Sequence, residues 1–275
     1  MSLAILLATY NSGLRLCTQL NSIISQTYKK WNLFIHDDGS TDETINIIRK
    51  YQSKDNRIHL LEDNLKGRGA KGSFIWLLEK VEADYYMFCD HDDLWLPNKI
   101  EISLSAIQIE SLKYPQKSVC FHTDLAVCDK DYNVLSQSLW TQSKIKPKVL
   151  EKFKYLQIFN CVTGCTMIFN QKAKEVALPF HSKAPMHDWW IAYCVLKNNG
   201  ILKHINKSTI LYCQHGTNEV GAINANSKFV INKIKNIREV YQKNKEHYLF
   251  LKELGTISLY KFIINKIRYE FIRIL

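Results

Sequence analysis

What this chain lacks narrows the possibilities early. Only ten Gly and five Pro occur in 275 residues, which leaves little room for long flexible linkers. No uninterrupted run of about 18 apolar residues occurs, so no transmembrane helix is expected. Leu3 to Ala8 is too short for a signal core and no basic leader precedes it, so no secretory signal is expected and the fold begins almost at residue one. The eight cysteines are scattered without a C-x-x-C pair. Cys161 and Cys165 come nearest to a ligand spacing, but no second pair accompanies them. Buried or neutral thiols in a reducing cytosol are therefore expected, rather than a zinc site. There is no internal repeat and no low-complexity tract.

What is present belongs to a folded protein. The chain is 46% hydrophobic and 12% aromatic, and its length suits one large domain or one domain with a helical appendage. The formal net charge is +11. From Asn226 to Leu275 there are eleven Lys or Arg against four Glu, so 11 − 4 places +7 of that excess in the tail.

Apolar periodicity marks the elements. Leu3 to Thr9 reads as a first buried strand. Tyr10-Asn11-Ser12-Gly13 is a turn, and Leu16, Leu20, Ile23 and Ile24 follow at helical spacing. Trp31 to His36 is a second strand, after which Ser40 or Thr41 caps a helix carrying Ile45, Ile48 and Tyr51 on its buried face. Ile58 to Leu61 is a third strand, Gly67 to Gly72 a glycine-rich basic loop, and Phe74 to Leu78 opens another helix. Tyr85 to Cys89 is a fourth strand. This alternation predicts an α/β fold with a mostly parallel sheet flanked by helices. Further strands are expected at Val119–Val127, Cys165–Asn170 and Ser208–Cys213, a helix at Trp189–Lys197, and basic helical segments after Gly221.

Three acidic clusters punctuate this pattern. Asp37-Asp38-Gly39-Ser40-Thr41-Asp42 closes the second strand, Asp90-His91-Asp92-Asp93 closes the fourth, and His187-Asp188-Trp189-Trp190 opens a later helix. Carboxylates at the C-terminal ends of parallel strands gather along the edge where open α/β sheets bind ligands. Paired Asp90 and Asp92 suit a hard divalent cation such as magnesium or manganese. Taken alone, the same string also reads as a solvated acidic turn. Asp42 is expected to cap a helix.

The strings LLATYNSG, SIISQTYKKWNLFIHDDGSTDETINII, FCDHDDLWLPNKI, TGCTMIFN, HDWWIAY and YCQHGTNEVGA occur in this order over about residues 3 to 222. Together they closely resemble the inverting nucleotide-sugar glycosyltransferases of family 2, with the GT-A fold, nearest the bacterial rhamnosyltransferase-like branch. The resemblance implies a catalytic domain over 1–222 and a basic amphipathic helical extension over 223–275. It places Thr9 and Tyr10 beside a nucleotide base, and Asp38, with Asp37 next to it, where a carboxylate accepts the N–H of a uracil- or thymine-type imide. Asp90 and Asp92 match the D-x-D that holds Mg2+ or Mn2+ on the donor diphosphate, and His215 matches a position near that metal. Asp93 is set to orient the cluster rather than ligate. Asp188 matches the catalytic base, with helix capping as the plainer role.

Gly164 matches a tight segment lining the acceptor pocket. Trp189 and Trp190 are candidates for stacking on sugar, with one of them in the core. The family's Asn before Phe is here Gly72-Ser73, so Arg68 and Lys71 remain candidates for facing the base or diphosphate, with surface solvation as the equal alternative. The implied reaction is inverting, metal-dependent transfer of one sugar from a UDP- or TDP-sugar, with TDP-rhamnose an analogy. The acceptor is a glycan or lipid-linked saccharide, as in lipopolysaccharide or capsule polysaccharide biosynthesis. The Q-x-x-R-W signature of processive synthases is missing, which favours single transfer. A catalytically inactive nucleotide-sugar-binding or scaffold subunit is the alternative. A nucleotidyltransferase would need a glycine-rich phosphate loop where ATYNSG stands.

In the tail, Tyr260, Ile263, Ile264, Ile267, Phe271 and Ile274 form one helical stripe beside Lys261, Lys266, Arg268 and Arg273. Such a stripe either contacts a membrane surface or packs on protein. A cytoplasmic location, peripheral on the inner face of the plasma membrane, follows from the first. No nucleic-acid partner is expected, since no binding module is recognised.

Overall fold

The first strand, β1 (Leu3–Thr9), is buried at all its positions, as a strand covered on both faces of a parallel sheet must be. A computed structural model describes residues 1–63, 65–213 and 237–274. Around β1 are arranged β2 (Asn32–Asp37), β3 (Ile58–Leu60) and β4 (Tyr85–Cys89), all parallel, in the order β3-β2-β1-β4. Three helices connect them. Helix α1 (Arg15–Ile24) buries Leu16, Leu20 and Ile23, spaced one and two turns apart, and α2 (Thr44–Gln52) buries Ile48. The third, α3 (Gly69–Lys80), buries Phe74, Leu77 and Leu78.

Beyond β4 the sheet becomes mixed. β5 (Leu94–Trp95) and α4 (Lys99–Lys113) lead into β6 (Val119–Cys128), which is buried throughout. β7 (Val134–Ser136) pairs antiparallel with β6. β8 (Met167–Asn170) lies antiparallel between β4 and β6. β9 (Ile201–Cys213) runs parallel to β6 and carries β5 on its other side. Short helices α5 (Leu139–Gln142), α6 (Pro147–Leu150) and α7 (Phe153–Leu156) occupy the polar excursion after β7 and the stretch that follows. α8 (Gln171–Ala177) and α9 (His187–Lys197) complete one flank.

Two apolar cores cover the two faces of the sheet, each face burying alternate residues of β1: Ala4, Leu6 and Ala8 on one, Leu3, Ile5 and Leu7 on the other. The last described helices, α10 (Ile237–Glu253) and α11 (Leu259–Ile274), join the first of these cores through Phe250, Leu251, Phe262 and Tyr269. Each such apolar side chain taken from water contributes roughly 1.5–3 kcal/mol, so the helices dock firmly on the α/β unit. The boundary at 222/223 lies outside the described residues.

Several local expectations are corrected. Gly69 to Gly72 is the first turn of α3, not a loop: glycine's poor helix propensity is overridden by an acidic side chain that caps this end. Cys165 belongs to a 3-10 turn, Gly164–Thr166, before β8 begins. β9 starts at Ile201 rather than Ser208, because pairing with β6 extends the strand through the half-exposed Lys203 and His204. None of the eight cysteines is in a disulfide, and all but Cys17 are buried.

Candidate active site

The C-terminal ends of β1 and β4, the N-terminus of α3 and the start of α9 surround one cavity of about 600 Å³. Thr9, Tyr10, Asp38, Asp90, Asp92, Gly164 and Asp188 all line it. These positions, spread over 180 residues of sequence, are thereby brought to one place.

The first wall is built around two adjacent aspartates with different tasks. Asp37 accepts Thr9 Oγ1–H at 2.9 Å, and its second oxygen accepts the Gly39 and Ser40 N–H groups at 3.0 and 2.7 Å. It shapes the turn, and among the expected nucleotide neighbours it is one that does not line the cavity. Asp38 does line the cavity. Its two oxygens accept the Arg68 and Gly69 N–H groups, each at 2.8 Å, so it sits on the positive end of the α3 dipole. A carboxylate has about four lone-pair sites, so acceptor capacity remains for one more donor. Asp42 accepts the Gly13 and Thr44 N–H groups at 3.0 Å each, the expected capping role.

The backbone at the start of α3 thus holds the Asp38 carboxylate in place. Arg68 pairs with Asp63, which also meets His36, and Lys71 Nζ donates to the Ala184 carbonyl at 3.0 Å. Both side chains are half-buried and neither lines the cavity. Lys71 ties α3 to the segment leading into Asp188.

The second wall is the acidic end of β4. Asp90 and Asp92 line the cavity, whereas Asp93 is wholly buried beneath it. The carboxylate oxygens of Asp90 and Asp93 and the Cys165 sulfur lie within 4.8 Å of one another. Burial, reinforced by the charges of Asp90 and Asp92, pushes the Asp93 pKa well above the usual carboxylate range. The Cys165 thiol is likewise pushed up, by burial first and then by the charges of Asp93 and Asp90. Lys99, fully buried over the Trp95 ring at 4.7 Å, has its pKa lowered to about 8 by desolvation, while the Asp93 charge acts in the opposite sense. His215, the other expected metal neighbour, lies outside the described residues.

The third wall is Asp188, in the first turn of α9. One oxygen accepts the Gly164 N–H at 3.0 Å and the other the Trp189 N–H. Burial raises its pKa from 3.8 to about 6, against the lowering effect of these two N–H bonds. A carboxylate tuned towards neutrality and opening on a cavity is suited to taking a proton. Gly164 is required by close approach: a Cβ there would lie 2.8 Å from His187 Nε2. The His187 ring is itself wedged between Phe74 and Phe88, at centroid distances of 4.5 and 4.6 Å.

Trp189 and Trp190, the expected sugar platforms, do not line the cavity. Both are buried, both stack with Tyr193, and their indole N–H groups donate to the Leu156 and Ala177 carbonyls at 3.1 and 2.8 Å. Helix α9 is covered on two sides, by α7 and α10 and by α8, so both rings turn inward. Residues absent from the sequence-based set include Leu125 and Tyr212, which also line the cavity. They arrive through the parallel β6–β9 pairing, where Val127 faces Tyr212, a long-range register that no local pattern signals.

A parallel half-sheet whose strand ends carry Asp38 and the Asp90–Asp92 pair, closed on the far side by a buried aspartate, defines a glycosyltransferase of the GT-A fold. The comparisons agree. Residues 4–177 match the family described as Glycosyl transferase family 2, and the chain belongs to that family. It is 28% identical over 229 residues to the dTDP-rhamnosyl transferase RfbG of Shigella flexneri, covering 78% of this chain and 74% of that protein. It is 24% identical to the UDP-Glc:alpha-D-GlcNAc-diphosphoundecaprenol beta-1,3-glucosyltransferase WfgD of Escherichia coli, covering 72% and 71%. Among solved structures, S. aureus TarS in complex with UDP-GlcNAc superposes with a TM-score of 0.57 at 18% identity, over 79% of this chain and 60% of that one. The mannosyltransferase PcManGT of Pyrobaculum calidifontis, in complex with GDP-Man and Mn2+, gives 0.56 at 17%, over 80% and 58%. The chain thus spans less than two thirds of either solved chain.

One prediction follows from Gly164. Gly164→Ala is expected to lower kcat by about 10- to 100-fold, since displacing a reacting group by about 1 Å can cost 10²-fold, with nucleotide affinity nearly unchanged. Steady-state kinetics beside nucleotide titration checks it; equal loss of both would show that Gly164 serves folding rather than Asp188.

Proposed function

We propose that the chain catalyses inverting, metal-dependent transfer of a single sugar from a UDP- or TDP-sugar, TDP-rhamnose being one candidate. The acceptor in this reading is a hydroxyl of a cell-surface glycan or lipid-linked saccharide. The observation that carries the proposal is that Asp188, buried and shifted to about 6, opens on the same cavity as Asp38, Asp90 and Asp92. In this reading the Asp188 carboxylate takes the proton of the acceptor hydroxyl. The freed oxygen attacks the anomeric carbon from the face opposite the nucleotide. The bond from that carbon to the diphosphate breaks with its electron pair left on the phosphate oxygen, so configuration inverts in one displacement and no covalent enzyme intermediate is needed.

Asp38 receives the N–H of the pyrimidine imide, with Thr9 and the exposed Tyr10 beside the base. RfbG, named for dTDP-rhamnose transfer, and WfgD, named for UDP-Glc and a diphosphoundecaprenol acceptor, support a pyrimidine donor and a lipid-linked acceptor. Mg2+ or Mn2+ fits the end of β4. Asp90 and Asp92 offer hard oxygen donors to the cavity, and the upward shift of Asp93, due first to burial, also carries a contribution from the Asp90 and Asp92 charges that a cation would relieve. A cation held there supplies charge stabilisation to the departing diphosphate. Gly164 marks the acceptor side. Residues 1–222 are the catalytic unit and 223–275 the basic extension in this reading, acting from the cytoplasmic side at the inner face of the plasma membrane.

The direct test is calorimetric titration with UDP, TDP, GDP and CDP, each with Mn2+ and with EDTA. Binding of UDP or TDP that is at least about tenfold tighter than GDP, and that is weakened with EDTA, is expected; tenfold corresponds to about 1.4 kcal/mol. Absence of binding to all four would remove the donor site.

A further inference from the structure

The stripe foreseen in the tail is resolved by the structure into two opposite faces of α11. Phe262, Asn265 and Tyr269 point inward, and Tyr269 packs on Phe159 at 4.9 Å. The opposite face carries Tyr260, Ile263, Ile267, Phe271 and Ile274, spaced by three or four residues, from 47% exposed at Ile263 to 73% at Tyr260. Ile264, expected within that stripe, falls half-buried on its flank. Isolated exposed apolar side chains are ordinary, but a continuous row along four turns of one helix is a surface awaiting a partner.

We propose that this row docks α11 on an anionic lipid bilayer, lying in the interface with Lys261 and Arg268 flanking it. The proposal rests on the reading of a membrane-borne acceptor and names the surface that meets it. Charge selects the partner. Residues 238–274 carry eight Lys or Arg against four Glu, so 8 − 4 gives +4, within a chain of formal charge +11. Two copies facing each other through this side would repel, whereas an anionic surface attracts it.

The fold adds further cations at the end of the row. Arg273 donates to the Ser143 carbonyl at 2.8 Å, and the Tyr269 hydroxyl accepts the Lys146 N–H at 3.3 Å. These contacts bring the exposed Lys144 and Lys146 beside the end of α11, around a recess of about 380 Å³ that Ile274 also lines. Apolar row, flanking cations and basic recess together match an interfacial helix. Among the described residues no helix is long and apolar enough to cross a membrane, so the helix lies on the bilayer rather than through it.

The test is co-sedimentation of the full chain with vesicles of phosphatidylcholine alone or with added phosphatidylglycerol. Binding is expected only with the anionic lipid, falling as salt rises. The triple change Ile263→Asp, Ile267→Asp and Phe271→Asp touches only exposed positions and should weaken it by at least about tenfold. No binding to anionic vesicles, or wild-type binding by the triple variant, overturns the proposal. So does a concentration-dependent dimer that the triple variant dissolves without any vesicle binding, which would give the row to a second copy. Nucleotide titration on the same preparations separates the two readings: intact UDP or TDP binding with failed sedimentation sinks the docking face alone.

Discussion

Asp188→Asn is expected to reduce sugar transfer by about two to four orders of magnitude, the usual contribution of a positioned general base. Nucleotide affinity should stay within about twofold, because the change falls in a step made only in the transition state. The asparagine keeps the shape of the side chain but can accept only through one oxygen, so it retains one of the two N–H bonds from Gly164 and Trp189. The wild-type rate should carry the signature of the group. Its pKa is raised to about 6 and the ionised form is the active one. Activity on the acidic side therefore rises with pH up to about 6 and levels off above it.

Stability runs the other way. A carboxyl whose folded pKa is raised favours the folded state fully below its ordinary value of 3.8, and this contribution is lost as pH rises through about 6. Ionised Asp188 thus costs on the order of 3 kcal/mol near pH 7, since each tenfold change in proton affinity is worth about 1.4 kcal/mol. Asparagine escapes that cost and gives up about 1 kcal/mol for the lost bond. Thermal unfolding should find the variant at least as stable as wild type near pH 7, with the advantage gone near pH 3. An inactive variant that is equally destabilised at both pH values would recast Asp188 as a structural cap.

The second large effect is expected at the end of β4. Asp90→Asn combined with Asp92→Asn should abolish the part of nucleotide binding that depends on Mn2+, leaving the affinity seen with EDTA. Transfer should fall by at least about 10², since charge stabilisation by a metal is worth several kcal/mol. The same substitutions remove two charges that help push Asp93 upward, so without metal the protein should unfold no more easily than wild type. Calorimetry with and without EDTA, beside thermal unfolding, checks both statements. A large loss of stability in the absence of metal would mean that the two aspartates hold the loop, and the metal assignment would fall.

Much of this site was legible because its signals are local. β1, β2 and β4 are short apolar runs that each end in polar or acidic residues, and strand ends in an α/β sheet share one edge, so Asp38, Asp90 and Asp92 could be placed together. Asp42 was readable as a cap because the chain entering a helix needs an acceptor for its first N–H groups. Asp188 was reached through a resemblance rather than through spacing.

Other placements were not legible, because a side chain's direction depends on distant packing. Arg68 and Lys71 are cationic and adjacent to glycines, yet α3 begins earlier than its glycines suggest and keeps both side chains out of the cavity lining, with two backbone N–H groups on Asp38. Trp189 and Trp190 are large and next to Asp188. They are buried because α7, α8 and α10 close over α9 from two sides.

The sequence by itself determined the α/β alternation, the family, the acidic strand ends and the existence of an apolar row in the last helix, all of which are periodicities or strings within short windows. The tertiary structure alone decided which atoms face the cavity and which side of α11 faces out. It brought Tyr212 to the site through the β6–β9 register and set Gly164 against His187. Those outcomes depend on close packing between segments far apart in the chain, where a contact of a few ångströms decides a role that no local pattern encodes.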